Sequence, residues 1–239
     1  MTAPPPALIY PDSLGDTLNA LNAALFYNLP LSQAERWEAA RWVAGRQGLP
    51  RSYAGMFAPT AYDYSFGALT FTGEPIVSGA GAAHLLSEEA CRVLYRLGAL
   101  DLPEVSAALH SARRAILRRM QESQPEGIWS GVYCCATCSV ALWRHLGSSG
   151  HAEDERRLEH GLVDLKRRRD GKGRWKQYPF YYTLLALSEL DLPAVRQEVE
   201  YALPAIERVL RRVEKSDPTA ESEHERRRRI VIGRLLEKF

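Results

Sequence analysis

Two sequence patterns recur along the chain at multiples of about 45 residues. Leu-Asp-Leu-Pro-x-Val occurs at 100–105 and again at 190–195, a separation of 90 residues, and Gly-x-Trp occurs at 127–129 and again at 173–175, a separation of 46. A unit of this length is typical of two-helix repeat proteins. The chain is therefore expected to repeat one helical hairpin. The repeats are expected at about 83–128, 129–174 and 175–214.

Each repeat is expected to pair a mostly apolar helix with an amphipathic one. A helix that is apolar on every side is normally enclosed by other elements, whereas an amphipathic helix keeps one side in water. The sequence therefore predicts an all-α fold: a two-layer array of helical hairpins with inner and outer helices. The inner helices are predicted at about His84–Leu97, Val132–Leu146 and Phe180–Leu190, and a last helix at about Thr219–Lys238.

Residues 1–11 are rich in proline and predict an N-terminal arm, followed by a single all-α helical-repeat domain at 12–239. Leucines at helical spacing predict a first helix at about Leu14–Tyr27, and Ser32 with Glu35 three positions later forms a capping box that predicts the start of a second. Residues 51–82 show no period, so they are expected either to pack on the core or to form a binding loop.

Charge and hydropathy exclude several classes of protein. The net charge of +2 is the difference between 31 basic and 29 acidic side chains, so the sequence gives no reason to expect a nucleic-acid partner. No apolar run is long enough for a membrane span and the N-terminus lacks the pattern of a signal peptide, which predicts a cytoplasmic protein. Four cysteines in a reducing compartment are expected to be core residues or ligands rather than disulfides.

The Gly-x-Trp turns, the repeat length and the apolar inner helices resemble the α/α-toroid repeats of squalene and terpene cyclases and of protein prenyltransferase β subunits, and more distantly lanthionine cyclases. The resemblance covers roughly 83–214 and implies a partial α/α toroid. The cyclase repeat usually has glutamine four positions before the glycine, where this chain has Ser123 and Arg169. Asp-x-Asp-Asp and Asp-Asp-x-x-Asp motifs are absent, which removes the proton donor of one cyclase class and the diphosphate-metal site of the other.

Cys134, Cys135 and Cys138 are the sharpest candidates for chemistry. On one helix Cys138 would lie beside both other cysteines, so that two of the three can bind one soft metal ion. Zinc usually takes four ligands, and His145 on the same predicted helix joins the candidate set. The resembled prenyltransferases and lanthionine cyclases hold zinc through Cys and His, although their Cys-His-Gly and Asp-x-Cys motifs are absent here. Packing as small apolar residues, a reactive thiol and iron–sulfur ligation remain alternatives. The other available side chains are His84, His110, His151 and Cys91.

Two further clusters are candidates for ligand binding. Aromatic side chains near the starts of two inner helices can line a pocket for an apolar or cationic ligand, or can simply be core. The Gly-Lys-Gly turn at 171–173 carries cations that can hold phosphate, although the helix dipole accounts for part of the basic run without any function. The candidate pocket residues are Trp129, Tyr133, Trp175, Tyr178, Tyr181 and Tyr182, and the candidate anion-binding residues are Arg169, Lys172 and Arg174.

Two hypotheses of function follow. The first is an α/α-toroid-like enzyme, or a protein derived from one, that binds an apolar small molecule such as an isoprenoid between inner helices, with the cysteines as a zinc or thiolate site. The second is a non-catalytic helical-repeat module that binds a protein partner. Fold analogy alone does not choose between them.

Overall fold

The computed structural model describes residues 7–76, 78–124, 131–213 and 221–239, with only the backbone at Val213. In these ranges the regular secondary structure is helical, with three isolated β-bridges and no strand. The all-α class predicted from the sequence is therefore confirmed. None of the helices described is both long and apolar enough to cross a membrane.

The chain divides into two compact units. One consists of Met1–Ala68 and Ile76–Ile128, and the other of Leu69–Pro75 and Trp129–Phe239. The segment Leu69–Pro75 therefore belongs to the second unit, although it lies between two parts of the first unit in the sequence. The expectation of a single helical-repeat domain at 12–239 stays a prediction.

The first unit contains two helix pairs and one short helix. Helices α1 and α4 contact each other, as do α2 and α5, while α4 also packs on α5. Ser32 and Glu35 form the predicted capping box at the start of α2. The irregular segment predicted at 51–82 contains one turn of 3-10 helix, the short helix α3 and the first turn of α4, which begins at Gly79. The helices are α1 (Leu14–Phe26), α2 (Gln33–Ala44), α3 (Ala61–Phe66), α4 (Gly79–Arg96) and α5 (Pro103–Ser123).

The second unit repeats this arrangement with two further pairs and a closing helix. Helix α6 contacts α7 and α8, α9 contacts α7 and α8, and α10 packs against α8. Two layers result, with α6 and α8 in one and α7 and α9 in the other. The helices are α6 (Ala136–Ser149), α7 (Ala152–Arg167), α8 (Phe180–Glu189), α9 (Pro193–Val213) and α10 (Glu223–Lys238).

The repeated Leu-Asp-Leu-Pro-x-Val segment has the same role in both units. Pro103 begins α5 and Pro193 begins α9, where the missing proline N–H costs nothing because no helical carbonyl is available to accept it. Val105 N–H donates to Leu102 O, and Val195 N–H donates in the same way, at 3.0 Å in each case. The repeated sequence therefore marks the start of an outer helix.

Candidate metal centre

The three cysteines lie on the turn that leads into α6 and on its first helical turn. Cys134 has a left-handed backbone with φ of 69°, and Cys135 is the extended N-cap residue with φ of −126°. Helix α6 therefore begins at Ala136 and not near Val132 as predicted. A left-handed residue ends helical continuity, so only Cys138 lies on the helix itself.

Ser139 fixes this turn to the helix. Its hydroxyl oxygen accepts a hydrogen bond from Tyr133 N–H at 3.1 Å. The same oxygen lies 2.8 Å from Cys135 O and 3.2 Å from Tyr133 O, both of which can accept its proton. The side chain is fully buried. The positions of the two turn cysteines are therefore set by a buried polar network and not by helical geometry.

The cysteine cluster, defined as Cys134, Cys135 and Cys138, brings three sulfur atoms to one helix N-terminus. Cys138 N–H donates to Cys135 Sγ at 3.5 Å. The Sγ atoms of Cys134 and Cys138 lie within 4.8 Å of each other. Cys138 is only 1% exposed, whereas both turn cysteines are exposed. The cluster is thus open to solvent on one side and anchored in the core on the other.

The pKa of the Cys138 thiol is raised well above its ordinary value. A hydrogen bond with the side chain of Cys135 is the main cause, followed by burial of the thiol and by negative charge on Cys135 and Cys134. Three sulfurs this close do not all ionise readily, because each thiolate repels the next. A bound cation would remove that repulsion, and the N-terminal end of α6 also favours negative charge.

The geometry suits a soft metal ion. Zinc–sulfur bonds of about 2.3 Å in a tetrahedral site place two sulfurs about 3.8 Å apart, which the Cys134 and Cys138 thiols can reach by small side-chain rotations. The hydrogen bond from Cys138 N–H to Cys135 Sγ stabilises the thiolate form of Cys135, as hydrogen-bond donors around metal ligands commonly do. Thiolates prefer Zn(II) and Cu(I) over hard cations such as Mg(II).

His145, the fourth residue of the predicted metal set, lies two turns further along α6. Seven residues of helix correspond to about 10 Å along the axis from Cys138. The side chain is fully buried. The structure therefore brings the three predicted cysteines together and leaves His145 at a distance from them along the helix.

His84 has the surroundings of an oriented imidazole within the first unit. Its Nε2 lies 3.1 Å from Glu88 Oε1, and both side chains are fully buried. The Tyr53 ring stacks on it with centroids 4.2 Å apart and planes 10° apart. A carboxylate on one ring nitrogen is the usual companion of a metal-binding histidine, because it fixes the ring and its tautomer.

Three of the predicted pocket aromatics are buried, and two of these have their polar ends hydrogen-bonded. Trp175 Nε1 donates to Glu198 Oε2 at 2.8 Å, and Tyr178 donates its hydroxyl to Asp164 Oδ2 at 3.0 Å. Tyr182 is fully buried beneath the guanidinium of Arg144, whereas Tyr133 and Tyr181 are half-buried. These contacts favour a core role for Trp175, Tyr178 and Tyr182. Trp129 lies outside the described residues.

The predicted anion-binding residues form a turn that packs on α9. Arg169 donates to both carboxylate oxygens of Glu198, at 2.9 and 3.2 Å. The backbone N–H groups of Lys172 and Arg174 both donate to Asp170 Oδ1, while the Arg174 guanidinium lies over the Phe180 ring. Arg169 is therefore neutralised by a buried carboxylate, and the two other cations lie on the exposed side of a structural turn.

Sequence reasoning missed the residues that hold these features in place. Cys135, which was predicted only as a ligand, is also the N-cap residue of α6. Ser139 and Glu198 carry no local motif that distinguishes them. Their roles appear only when partners 6 to 29 residues away are brought into contact. Comparisons with protein-family models, curated proteins and solved structures found no match for this chain.

Proposed function

We propose that this chain is a metal-binding helical-repeat protein whose cysteine cluster holds a soft divalent ion, zinc in the first place. The observation that carries the proposal is the convergence of three thiols at the start of α6, with two sulfurs within 4.8 Å of each other. The raised pKa of the Cys138 thiol supports the proposal, because a bound cation offsets the repulsion between neighbouring thiolates. Bound zinc would supply charge neutralisation and a fixed arrangement of the three thiolates.

The deciding experiment measures metal content and affinity. The full chain is loaded with Zn(II), freed of excess metal and assayed for bound ion, with Co(II) absorption as a second readout of thiolate coordination. We expect close to one ion per chain in the wild type. Cys134→Ser and Cys138→Ser are each expected to weaken zinc binding at least about 100-fold, because a ligating thiolate is lost. A wild-type chain that retains no metal contradicts the proposal.

Thr137→Ala is the matched control, since Thr137 lies within the same segment and carries no thiol. Its zinc affinity should equal that of the wild type. Circular dichroism of every variant separates loss of a ligand from loss of the fold. A folded Cys138→Ser variant that binds zinc as tightly as the wild type sinks the proposed site.

Three thiolates leave a coordination position on zinc for another ligand or for water. Alanine variants of the four histidines named from the sequence, His84, His110, His145 and His151, test which imidazole contributes. His84 is the first to examine because of its buried Glu88 partner. Loss of Co(II) absorption in one of the four identifies a nitrogen ligand, and unchanged spectra in all four indicate water, a further thiol or a ligand outside this set.

We also propose, from the resemblance over 83–214, that the helix pairs belong to a partial α/α toroid. The two-layer packing of α6 to α9 in the second unit supports this. An experimental structure of the full chain tests it. A catalytic role with an apolar ligand stays a prediction, and the hydrogen-bonded, buried state of Trp175 and Tyr178 favours packing at that position. The non-catalytic interaction module and the cytoplasmic location likewise stay predictions.

A further inference from the structure

The first unit contains a cavity of about 710 Å³ that none of the predicted sites includes. Its wall is formed by residues 51–54, by Tyr64 of α3, by the first turns of α4 and by the last turns of α5. Ligand pockets for small molecules commonly have volumes of about 300–1,000 Å³. The cavity is therefore large enough for a metabolite-sized ligand.

The charged side chains that line the cavity are predominantly cationic. Arg51, Arg118 and Arg119 contribute three guanidinium groups against the single carboxylate of Glu122, which gives a lining charge of 3 − 1 = +2. Glu122 lies 3.2 Å from Arg119 Nη1 and 3.9 Å from Arg118 Nε. One carboxylate thus faces two guanidinium groups of the same helix, and the third comes from a different element. An anionic ligand would balance this charge.

Arg51 is held towards Tyr64 by its backbone and its side chain together. Its φ is 70°, in the left-handed region, and Tyr64 donates its hydroxyl to Arg51 O at 2.8 Å. The guanidinium lies 4.7 Å from the centroid of the Tyr64 ring. Ala54 also has a positive φ, of 52°. Non-glycine residues in this conformation persist where the surroundings enforce it, and they concentrate at ligand sites.

The start of α4 adds backbone donors to the same wall. Gly79 and Ala80 line the cavity and present no polar side chain, and no acidic residue occupies the first turn of the helix. The Ser78 hydroxyl accepts Gly81 N–H and Ser78 O accepts Ala82 N–H. This leaves the N–H groups of Gly79 and Ala80 at the cavity wall. The remaining first-turn N–H groups and the helix dipole favour an anion near this end.

We propose that this cavity binds a small molecule that carries a phosphate or diphosphate group. Arg51, Arg118 and Arg119 would hold the phosphate oxygens, for which the planar guanidinium provides paired donors. A diphosphate alone fills only a fraction of the volume, so the cavity has room for an organic part of the ligand. Tyr53, Tyr64 and Ala83 provide aromatic and apolar surface for it.

The test is calorimetric titration of the full chain with inorganic pyrophosphate at low salt, with inorganic phosphate and citrate as parallel probes. We expect pyrophosphate to bind more tightly than phosphate, and citrate to bind at least about tenfold more weakly than pyrophosphate, because the arginines and helix N–H groups match phosphate oxygens. Citrate that binds as tightly as pyrophosphate, or a pyrophosphate titration that gives no heat at two well-separated temperatures, overturns the proposal.

Matched variants locate the binding. Arg51→Gln, Arg118→Gln and Arg119→Gln are each expected to weaken pyrophosphate binding about tenfold or more, since each removes a charge-assisted contact. Arg114→Gln removes an exposed arginine of α5 that does not line the cavity, and its affinity should stay at the wild-type value. Equal weakening in all four variants indicates non-specific charge attraction and contradicts the site. The zinc content of these variants should not change, so this proposal and that for the cysteine cluster fail independently.

Discussion

Helices α6 and α8 of the second unit begin alike and then differ in what accepts their first N–H groups. Each has an extended N-cap residue, Cys135 or Pro179, and a hydroxyl four positions later that donates back to the N-cap carbonyl: Ser139 at 2.8 Å and Thr183 at 2.7 Å. The two helices are thus equivalent members of the repeat. Their difference shows which features belong to the scaffold and which are added to it.

The N-terminus of α8 is closed by a carboxylate. Glu74 Oε1 accepts the N–H groups of Tyr181 and Tyr182, each at 3.0 Å, and its Oε2 accepts the hydroxyls of Thr70 and Thr72, each at 2.5 Å. At the equivalent place in α6 the acceptor is the exposed sulfur of Cys135, and a second exposed thiol, that of Cys134, lies on the same turn. The N-terminus of α8 is therefore closed by structural hydrogen bonds, whereas the N-terminus of α6 keeps thiol ligands accessible.

The strongest way to test this contrast is to remove the carboxylate. Glu74→Ala is expected to lower the free energy of unfolding by about 3 kcal/mol, because two backbone N–H groups and two hydroxyls lose their acceptor. Glu74→Gln keeps one oxygen acceptor and should lose about 1 kcal/mol. Urea denaturation measures both variants. Zinc affinity should not change in either, and a loss under about 0.5 kcal/mol in Glu74→Ala would refute the structural role of this cap.

The cysteine cluster at the N-terminus of α6 should make the stability of the chain depend on pH. The pKa of the Cys138 thiol is higher in the folded chain than in the unfolded chain, where it is near the ordinary 9.0. Stability is therefore fully present below that value and is lost as the pH rises above it, by up to about 1.4 kcal/mol per pH unit. Denaturation of the metal-free, reduced chain at about pH 8 and about pH 10 measures this loss.

Cys138→Ala is the control for the pH experiment, since it removes the titrating group and leaves both turn cysteines. Its loss of stability between the two pH values should be clearly smaller. Equal losses in the variant and the wild type would show that the raised pKa of Cys138 does not contribute. Zinc is expected to bind more tightly as the pH rises, because the ion displaces the thiol proton.

Removing the equivalent hydroxyls of Ser139 and Thr183 one at a time distinguishes effects on the fold from effects on the metal site. Ser139→Ala should cost about 1.5 kcal/mol and should weaken zinc binding about tenfold, because this hydroxyl positions the turn that carries two of the cysteines. Thr183→Val, at the equivalent place in α8, should cost about 1 kcal/mol and leave zinc affinity unchanged. Denaturation and zinc competition measure the two effects. Unchanged zinc affinity in Ser139→Ala would mean that the cysteine turn is held by other contacts.

Local sequence patterns predicted the scaffold well. The capping box at Ser32 is decided by residues within one helical turn and lies where the pattern predicted it. The recurrence of Leu-Asp-Leu-Pro-x-Val predicted a repeat, and in both copies its proline, Pro103 or Pro193, begins an outer helix. Apolar periodicity did not predict the start of α6, because a cysteine N-cap is outside the usual Ser, Thr, Asp and Asn set and Cys134 adopts a conformation that usually favours glycine.

The carboxylates that accept hydrogen bonds at the start of α8 and from Arg169 come from distant positions in the sequence. Glu74 binds residues 107 and 108 positions later, and Glu198 accepts from Arg169 and Trp175 across 29 and 23 positions. No motif in a single sequence links these residues, so the acceptor at α8 and the neutralisation of Arg169 follow only from the packed structure. The three cysteines were predicted as a group because they are neighbours in sequence.

The smallest expected effect on stability is also the most direct test of the difference between the two ends. Cys135→Ala removes the sulfur that accepts Cys138 N–H at 3.5 Å, a weak hydrogen bond at an exposed residue. The free energy of unfolding should therefore fall by less than about 0.5 kcal/mol in the metal-free chain. Zinc affinity should nevertheless fall at least about 100-fold, because the same atom is a proposed ligand. A large loss of stability with unchanged zinc affinity would make Cys135 a cap like Glu74, and would remove the difference between α6 and α8.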